Sequence, residues 1–225
     1  MLSCNRVLNG TFFKEQDRNK YKLPESIRLE AGRVYLADTL KQDIQNETFK
    51  AYLIDLVDYA IQEYNKHFNK AYYDRGFIRY QKYSRKDVCR ILNWEKDESS
   101  TMYGYRIKYN TCPIFVTYHK SEDISESTKY EDCFINEHQF SWMTRSNVKV
   151  DSKEVVSIRN YKETNLRIPL FIKKNDSEGS DFYYMGEVEP LTITQTTNSQ
   201  NQPIVNIIFT MQHEVEEQLY EYLKM

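Results

Sequence analysis

The segment FSWMTRSNVKV, residues 140–150, sets two large rings, three hydroxyls, an arginine and an asparagine into a strand and its exit. Side chains alternate across an extended strand, so Phe140, Trp142 and Thr144 share one face while Ser141, Met143 and Arg145 share the other. One face offers rings and a hydroxyl, and the other ends in a cation. The segment is either a piece of core or the wall of a pocket for a flat ring.

Strand patterns recur on both sides of it. "YGYRIKY" (103–109) alternates, with Tyr103, Tyr105, Ile107 and Tyr109 opposite Gly104, Arg106 and Lys108. "PIFVTYHK", "LRIPLFIKK", "FYYMGEV", "LTITQ" and "PIVNIIF" follow as further strands, and "QTTNSQNQP" reads as an exposed loop. Asp151 and Glu154 open a helix running through Tyr161, and a last helix from Glu214 to Leu223 places Val215, Leu219, Tyr222 and Leu223 on one face.

The N-terminal part has a helical texture instead. Ile27 to Leu40 and Phe49 to Phe68 both carry helical periodicity and read as an antiparallel pair, with Asn46 capping the second helix. A short helix follows in "YSRKDVCRILNW", where Ser84 and Asp87 have the spacing of a capping box. Val88, Ile91 and Leu92 face inward there, which leaves Arg85 and Lys86 on the first turn, where amides and cations can meet a phosphate. Together these patterns predict an α+β chain: an N-terminal helical pair over residues 1–74, then a mixed, barrel-like sheet with short flanking helices over 75–225.

At 225 residues, 40% of them apolar and 28% charged, the chain can bury a sizeable core and is not of disordered composition. Its 19 tyrosines suit a core, and equally suit stacking on bases or on a partner. No apolar run approaches the ~20 residues that span a bilayer, so no membrane association and a cytoplasmic location are expected. Cys4, Cys89, Cys112 and Cys133 form no close pair, which fits reduced structural thiols. The formal net charge of -2 excludes a nonspecific polyanion binder. Locally, Arg75 to Glu95 holds six basic against two acidic residues, and Asp176 to Pro190 holds five acids and no base. Such a basic stripe fits docking on a phosphate backbone, or else a solvated helix face.

Enzyme signatures are lacking. There is no phosphate loop, no G-x-G-x-x-G after a strand and no G-x-S-x-G elbow. His67, His119, His138 and His213 have no metal-ligand spacing, and "HKSED" lacks the spacing of a phospholipase-D-type motif. Asp123, Glu131 and Asp132, or Glu187 and Glu189, with Lys120 or Lys174, are the carboxylates and lysines that a magnesium site would draw on.

The blocks "YQKYSRKDVCRILNWE", "YGY", "CPIFVTYHK", "YEDCF", "FSWMTRSN" and "LFIKKNDSEGSDFYYMGEV" resemble, in order and spacing, the C-terminal region of SauUSI-type, ATP-dependent type IV restriction enzymes. These are fusions of a helicase with a phospholipase-D-type nuclease that cut DNA carrying 5-methylcytosine or 5-hydroxymethylcytosine. The resemblance is strong over residues 77–190 and weak over the helical start. It implies a non-catalytic reader with an SRA/PUA-like fold and duplex DNA as its partner, beside helicase and nuclease domains of the same parent protein. No cofactor is implied for this chain, since ATP and a divalent metal belong to the intact enzyme.

Reading a methyl group on cytosine favours base flipping, with the ring stacked between aromatics and its Watson–Crick edge checked by hydrogen bonds. Pocket candidates are accordingly Trp142, Thr144, Phe140, Tyr103, Tyr105 and Tyr118, with Asp132 as partner for the cytosine amine. Trp142 is a wall, or fills the gap the base leaves. Lys82, Ser84, Arg85, Lys86, Arg145, Asn147 and Lys149 are candidates for the DNA backbone or groove. Arg145 stands where the related pattern is expected to carry glutamine, which favours phosphate over base contact. A core role for Phe140, Trp142 and the tyrosines stays open, as do an RNA or modified-nucleotide binder, a protein-interaction module and a standalone nuclease.

Overall fold

The computed structural model describes residues 2–67, 72–119 and 132–225. By contacts the chain divides into two compact units, residues 1–78 with 86–100, and residues 79–85 with 101–225. The sequence expectation drew the division after residue 74; the segment 86–100 groups with the N-terminal residues.

The N-terminal unit runs α1 (Leu2–Leu8), α2 (Glu15–Tyr21), β1 (Ile27–Glu30), β2 (Arg33–Leu36), α3 (Asp38–Asp43), α4 (Glu47–His67), β3 (Tyr73–Asp74) and β4 (Phe77–Ile78). Phe12, Phe77, Val88, Cys89, Leu92 and Trp94 are its buried residues of note, which confirms the inward face expected for Val88 and Leu92. The helix expected over 27–40 is instead a hairpin, with Ile27 paired to Leu36 and Glu30 to Arg33. Ala31 and Gly32 take φ of 48° and 77°, and this left-handed pair is what a two-residue hairpin loop requires.

Asn46 caps α4 as expected: its Oδ1 accepts from the backbone N–H groups of Thr48 (3.0 Å) and Phe49 (3.1 Å). The antiparallel partner is missing, because its sequence went into the hairpin. Phe49, Tyr52, Leu56, Val57 and Tyr64, on the face of α4 expected to be buried, are therefore exposed, as are Ile54, Tyr59 and Ile61 on its other sides. Phe68 lies outside the described residues.

The C-terminal unit is built on a mixed sheet that curls as a half-barrel, as the strand pattern predicted. Its strands are β5 (Lys82–Tyr83), β6 (Ile114–Thr117), β7 (Cys133–Asn136), β8 (Gln139–Met143), β9 (Pro169–Lys173), β10 (Phe182–Thr197) and β11 (Pro203–Met211). The order is β6-β9-β10-β11-β8-β7, with β5 also on β10, and β6 with β9 is the parallel pair. Helix α5 (Arg85–Ile91) begins where the two units meet in sequence, while α6 (Lys153–Arg159), α7 (Tyr161–Thr164) and α8 (Glu217–Lys224) flank the sheet unit.

Strand β8 alternates as its sequence predicts: Phe140 and Trp142 are buried, and Ser141 and Met143 are half-buried. "FYYMGEV" and "LTITQ" are a single strand of 16 residues, β10, with an irregular register between Pro190 and Thr192. "YGYRIKY" is not a strand. Gly104 (φ 75°), Tyr109 (φ 49°) and Asn110 (φ 55°) break the extended chain, leaving isolated bridges from Tyr105 to Ile114 and from Lys108 to Thr111. Its tyrosines consequently do not share a face: Tyr103 is 79% exposed and Tyr105 4%. In the last helix Tyr220, not Tyr222, joins Val215 and Leu223 in the core.

Candidate nucleic-acid interface

Two stretches that are distant in sequence, 101–107 and 145–157, line a cleft of about 410 Å³ in the C-terminal unit. That volume falls within the ~300–1,000 Å³ of ordinary small-ligand sites. Thr101, Tyr105, Arg106 and Ile107 come from the irregular segment before β6, Arg145 from the exit of β8, and Lys153, Glu154 and Ser157 from the first turns of α6. Phe115 donates its N–H to the Gly104 carbonyl, and Arg106 Nη1 donates to Thr101 Oγ1 at 2.9 Å, so the irregular segment is tied to the sheet and to itself.

Tyr105 lines this cleft and is almost fully buried. Its ring meets the edge of Trp142 at 4.8 Å between centroids, and the Arg145 guanidinium lies 5.2 Å over it. Arg145 Nη2 donates to Glu154 Oε2 at 2.6 Å. The Tyr105 hydroxyl is buried and makes no hydrogen bond of normal geometry, although Glu154 and Arg145 stand close enough to act on it electrostatically. Burial, and then the Glu154 charge, push its pKa well above the usual tyrosine range, against the pull of Arg145. Burial and Glu154 act the same way on the Cys112 thiol.

Three cations, Arg106, Arg145 and Lys153, face one carboxylate, Glu154, around the buried Tyr105 ring and its hydroxyl. Such a lining can take a phosphate on the cationic rim, and a planar polar group against Tyr105 in the place that the Arg145 guanidinium occupies. Glu154 offers an acceptor to an exocyclic amine.

Of the residues singled out from sequence, Tyr105 and Arg145 meet in this cleft. Phe140, Trp142 and Thr144 lie in the core instead. Phe140 packs edge-on to Phe134 at 5.0 Å, and Thr144 Oγ1 accepts from Val205 N at 2.9 Å. Trp142 supports Tyr105 from behind. Tyr118 stacks on Phe134 at 5.7 Å, and Tyr103 stands exposed outside the cleft lining. Asp132 is buried and accepts from the Met143 N–H at 2.9 Å.

The expected backbone contacts are dispersed. Lys82 pairs with Glu178 at 3.2 Å and lies 4.5 Å over Tyr183. Arg85 is half-buried against Phe182 (4.7 Å) and Phe115 (5.3 Å), and burial lowers its pKa. Lys86 lies 5.0 Å over Phe13 in the N-terminal unit, and Ser84 is half-buried. Asn147, at φ 66°, and Lys149 are exposed in the loop between β8 and α6. Sequence reasoning did not assign Arg106, Lys153, Glu154 or Ser157 to the site. The signal for Glu154 was read only as a helix start.

Among the described residues no cluster of three or more His, Cys, Asp or Glu is placed to hold a metal. Glu187 is committed to Arg167 and to the Ile168 N–H, and Glu189 to Tyr161 and Lys162. Asp123, Glu131 and Lys120 lie outside the described residues. No helix among those residues is long and apolar enough to cross a membrane.

No curated protein matches the chain. Among solved structures it is similar to the SRA domain of SUVH5 in complex with hemi-methylated CG DNA, at 8% identity and TM-score 0.41, over 60% of this chain and 87% of that one. It is similar to KRYPTONITE in complex with mCHG DNA at 10% identity and TM-score 0.41, over 64% and 35%. It also matches Arabidopsis thaliana SUVH6 in complex with SAM at 14% identity and TM-score 0.44, over 98% and 39%. At these TM-scores the likeness carries no argument of its own. A family model described as a domain of unknown function (DUF8090) matches residues 1–70. Residues 77–223, well over half of the chain, match the model of a domain of unknown function (DUF3427), and the chain belongs to that family.

Proposed function

We propose that this chain reads a modified cytosine, 5-methyl or 5-hydroxymethyl, in duplex DNA, with the base turned out of the helix into the Tyr105 cleft. The observation that carries the reading is the cleft itself: a buried ring whose hydroxyl lies beside Glu154 and Arg145, with one carboxylate and a rim of three cations. Once Arg145 swings from the ring to a phosphate, stacking of a base on Tyr105 contributes up to ~1–3 kcal/mol towards the cost of unstacking. The Arg145 guanidinium over Tyr105 marks where a flat cationic or aromatic group already finds a partner. Tyr105 and Glu154 take the stacking and amine-accepting roles that the sequence assigned to Trp142 and Asp132. Arg106, Arg145 and Lys153, with Lys149 on the adjoining loop, meet the phosphates.

The six-block resemblance supports a setting for this activity. The chain is the non-catalytic recognition part of a cytoplasmic, ATP-dependent type IV restriction enzyme. Residues 1–74 then connect it to the helicase and nuclease of the same parent, and the rings exposed along α4 support that role, because apolar helix faces pack against further protein.

The test is fluorescence anisotropy on matched short duplexes, with and without one 5-methylcytosine, at two salt concentrations. A methyl-dependent gain of ~1 kcal/mol or more that survives higher salt is expected, because phosphate contacts alone weaken with salt. Equal affinity for both duplexes reduces the cleft to a docking surface, and the absence of binding moves the function to a protein partner.

A further inference from the structure

The far end of the β10–β11 hairpin carries an arrangement that the cleft does not use. From Leu191 to Met211 there is no charged residue, although the neighbouring loop holds Arg145 and Lys149. β9 leaves β10 at Glu187, and β8 pairs with β11 no further than Asn206, with Thr144 adding a last contact to Val205. Beyond Val205 the two strands pair only with each other, as Thr196 to Ile204 and Thr197 to Pro203, and the turn at 198–202 closes the ribbon. The turn at its end is exposed at Ser199, Gln200 and Asn201.

The tip is fixed by its own amides. Asn198 Oδ1 accepts from the N–H groups of Gln200 (3.0 Å) and Gln202 (2.9 Å), and its Nδ2 donates to Gln202 Oε1 (3.0 Å) and to Ser146 Oγ (3.1 Å). Gln195 donates to the Ile204 carbonyl at 2.7 Å and accepts from the Val150 N–H at 2.7 Å. These bonds lock the ribbon to the loop at 146–150, which leads directly from Arg145 at the cleft to α6. Arg159 Nη2 holds the Val150 carbonyl of that loop at 3.2 Å. With Gln195, Asn198 and Gln202 committed, Gln200 and Asn201 are the tip amides whose exposed side chains make no hydrogen bond among the described residues.

We infer that the ribbon tip enters the major groove beside the flipped base and that Gln200 and Asn201 read an adenine a few base pairs away. A two-stranded ribbon fits that groove, and Asn or Gln can bond both N6 and N7 of adenine, which no other base presents in that pattern. The lack of charge suits a surface meeting base edges, while Arg145 and Lys149 take the flanking phosphates. This inference rests on the DNA-reading role proposed above, and it supplies the flanking-sequence preference that the cleft alone cannot give.

The experiment uses the whole chain and a set of duplexes with one 5-methylcytosine, in which each flanking pair within about half a turn is changed in turn between A·T and G·C. The wild type is expected to lose about tenfold in affinity at one or two of these positions. The Gln200→Ala/Asn201→Gly variant, with glycine at the left-handed position 201 (φ 57°), is expected to lose that dependence while keeping its preference for methylated over unmethylated duplex and its melting temperature. A wild type indifferent to every flanking pair, or a double variant that keeps the preference, overturns the inference. A flanking preference without methyl dependence leaves the ribbon reading standing and refutes the cleft reading, so the two fail separately.

Discussion

Replacing Glu154 by glutamine isolates the electrostatic part of the cleft. In the folded chain Glu154 holds Arg145 at 2.6 Å, so one of the three rim cations is already neutralised. The Arg145 side chain is 58% exposed, so losing the pair costs at most ~1 kcal/mol of stability, and the variant stays folded. Its effect appears in DNA binding instead. Arg145 no longer divides its charge between Glu154 and phosphate, which steepens the slope of log K against log salt by up to about 0.9. Between 50 and 200 mM salt that is an extra fall in affinity of up to about 3.5-fold relative to the wild type. Anisotropy titrations of unmethylated duplex at four salt concentrations measure it directly. If Glu154 also accepts from the cytosine amine, the methyl-bearing base loses a charge-assisted bond at the same time, and the discrimination between methylated and unmethylated duplex narrows. An unchanged slope refutes the reasoning, because it means that Arg145 and its neighbours never face the DNA backbone.

Other outcomes follow from the packing. Glu187 is 2% exposed and accepts from Arg167 Nε (2.9 Å) and Nη2 (2.6 Å) and from the Ile168 N–H (3.0 Å). Glu187→Ala is therefore expected to destabilise the C-terminal unit by roughly 3–5 kcal/mol in urea melts. Burial pushes the Cys89 thiol up to about 11, from an ordinary value of 9.0. Its contribution is intact below about pH 9 and is lost as pH rises towards 11, at most ~3 kcal/mol, and a Cys89→Ala variant should lack that component. In thiol labelling at neutral pH, exposed Cys133 should react well before buried Cys89 and Cys112, as peptide mapping would show. Asn46→Ala removes the cap of α4 and should cost ~1 kcal/mol, seen as lost helical ellipticity.

Where a short-range pattern decided the structure, the sequence was readable. The Asn46 cap needs only the amides two and three residues ahead, and the burial of β8 follows from alternation along five residues. Periodicity misled at 27–36, because apolar spacing of a helical kind was weighed above the Ala31–Gly32 pair whose positive φ makes a hairpin. It misled again at 103–109, where Gly104 and the left-handed Tyr109 and Asn110 interrupt a run that alternates in composition only. The cleft was half legible. Tyr105 and Arg145 were named from their chemistry, yet what joins them is the first turn of α6, and sequence spacing gives no sign that Glu154 will face Arg145 across nine residues. Trp142 had the right chemistry for a pocket wall, but the ring in the pocket is Tyr105, which Trp142 backs from the core.

The central claim is that a modified base sits against Tyr105. The most direct measurement places a carbon-13 label on the 5-methyl group of a single cytosine in a duplex and follows its NMR signal as the chain is added. The account predicts a large upfield shift of that methyl in the complex, from the ring currents of Tyr105 and its neighbours, and a much smaller shift with Tyr105→Leu. A bound methyl that keeps its free-duplex shift, while anisotropy confirms binding, would place the base outside the cleft and contradict the account.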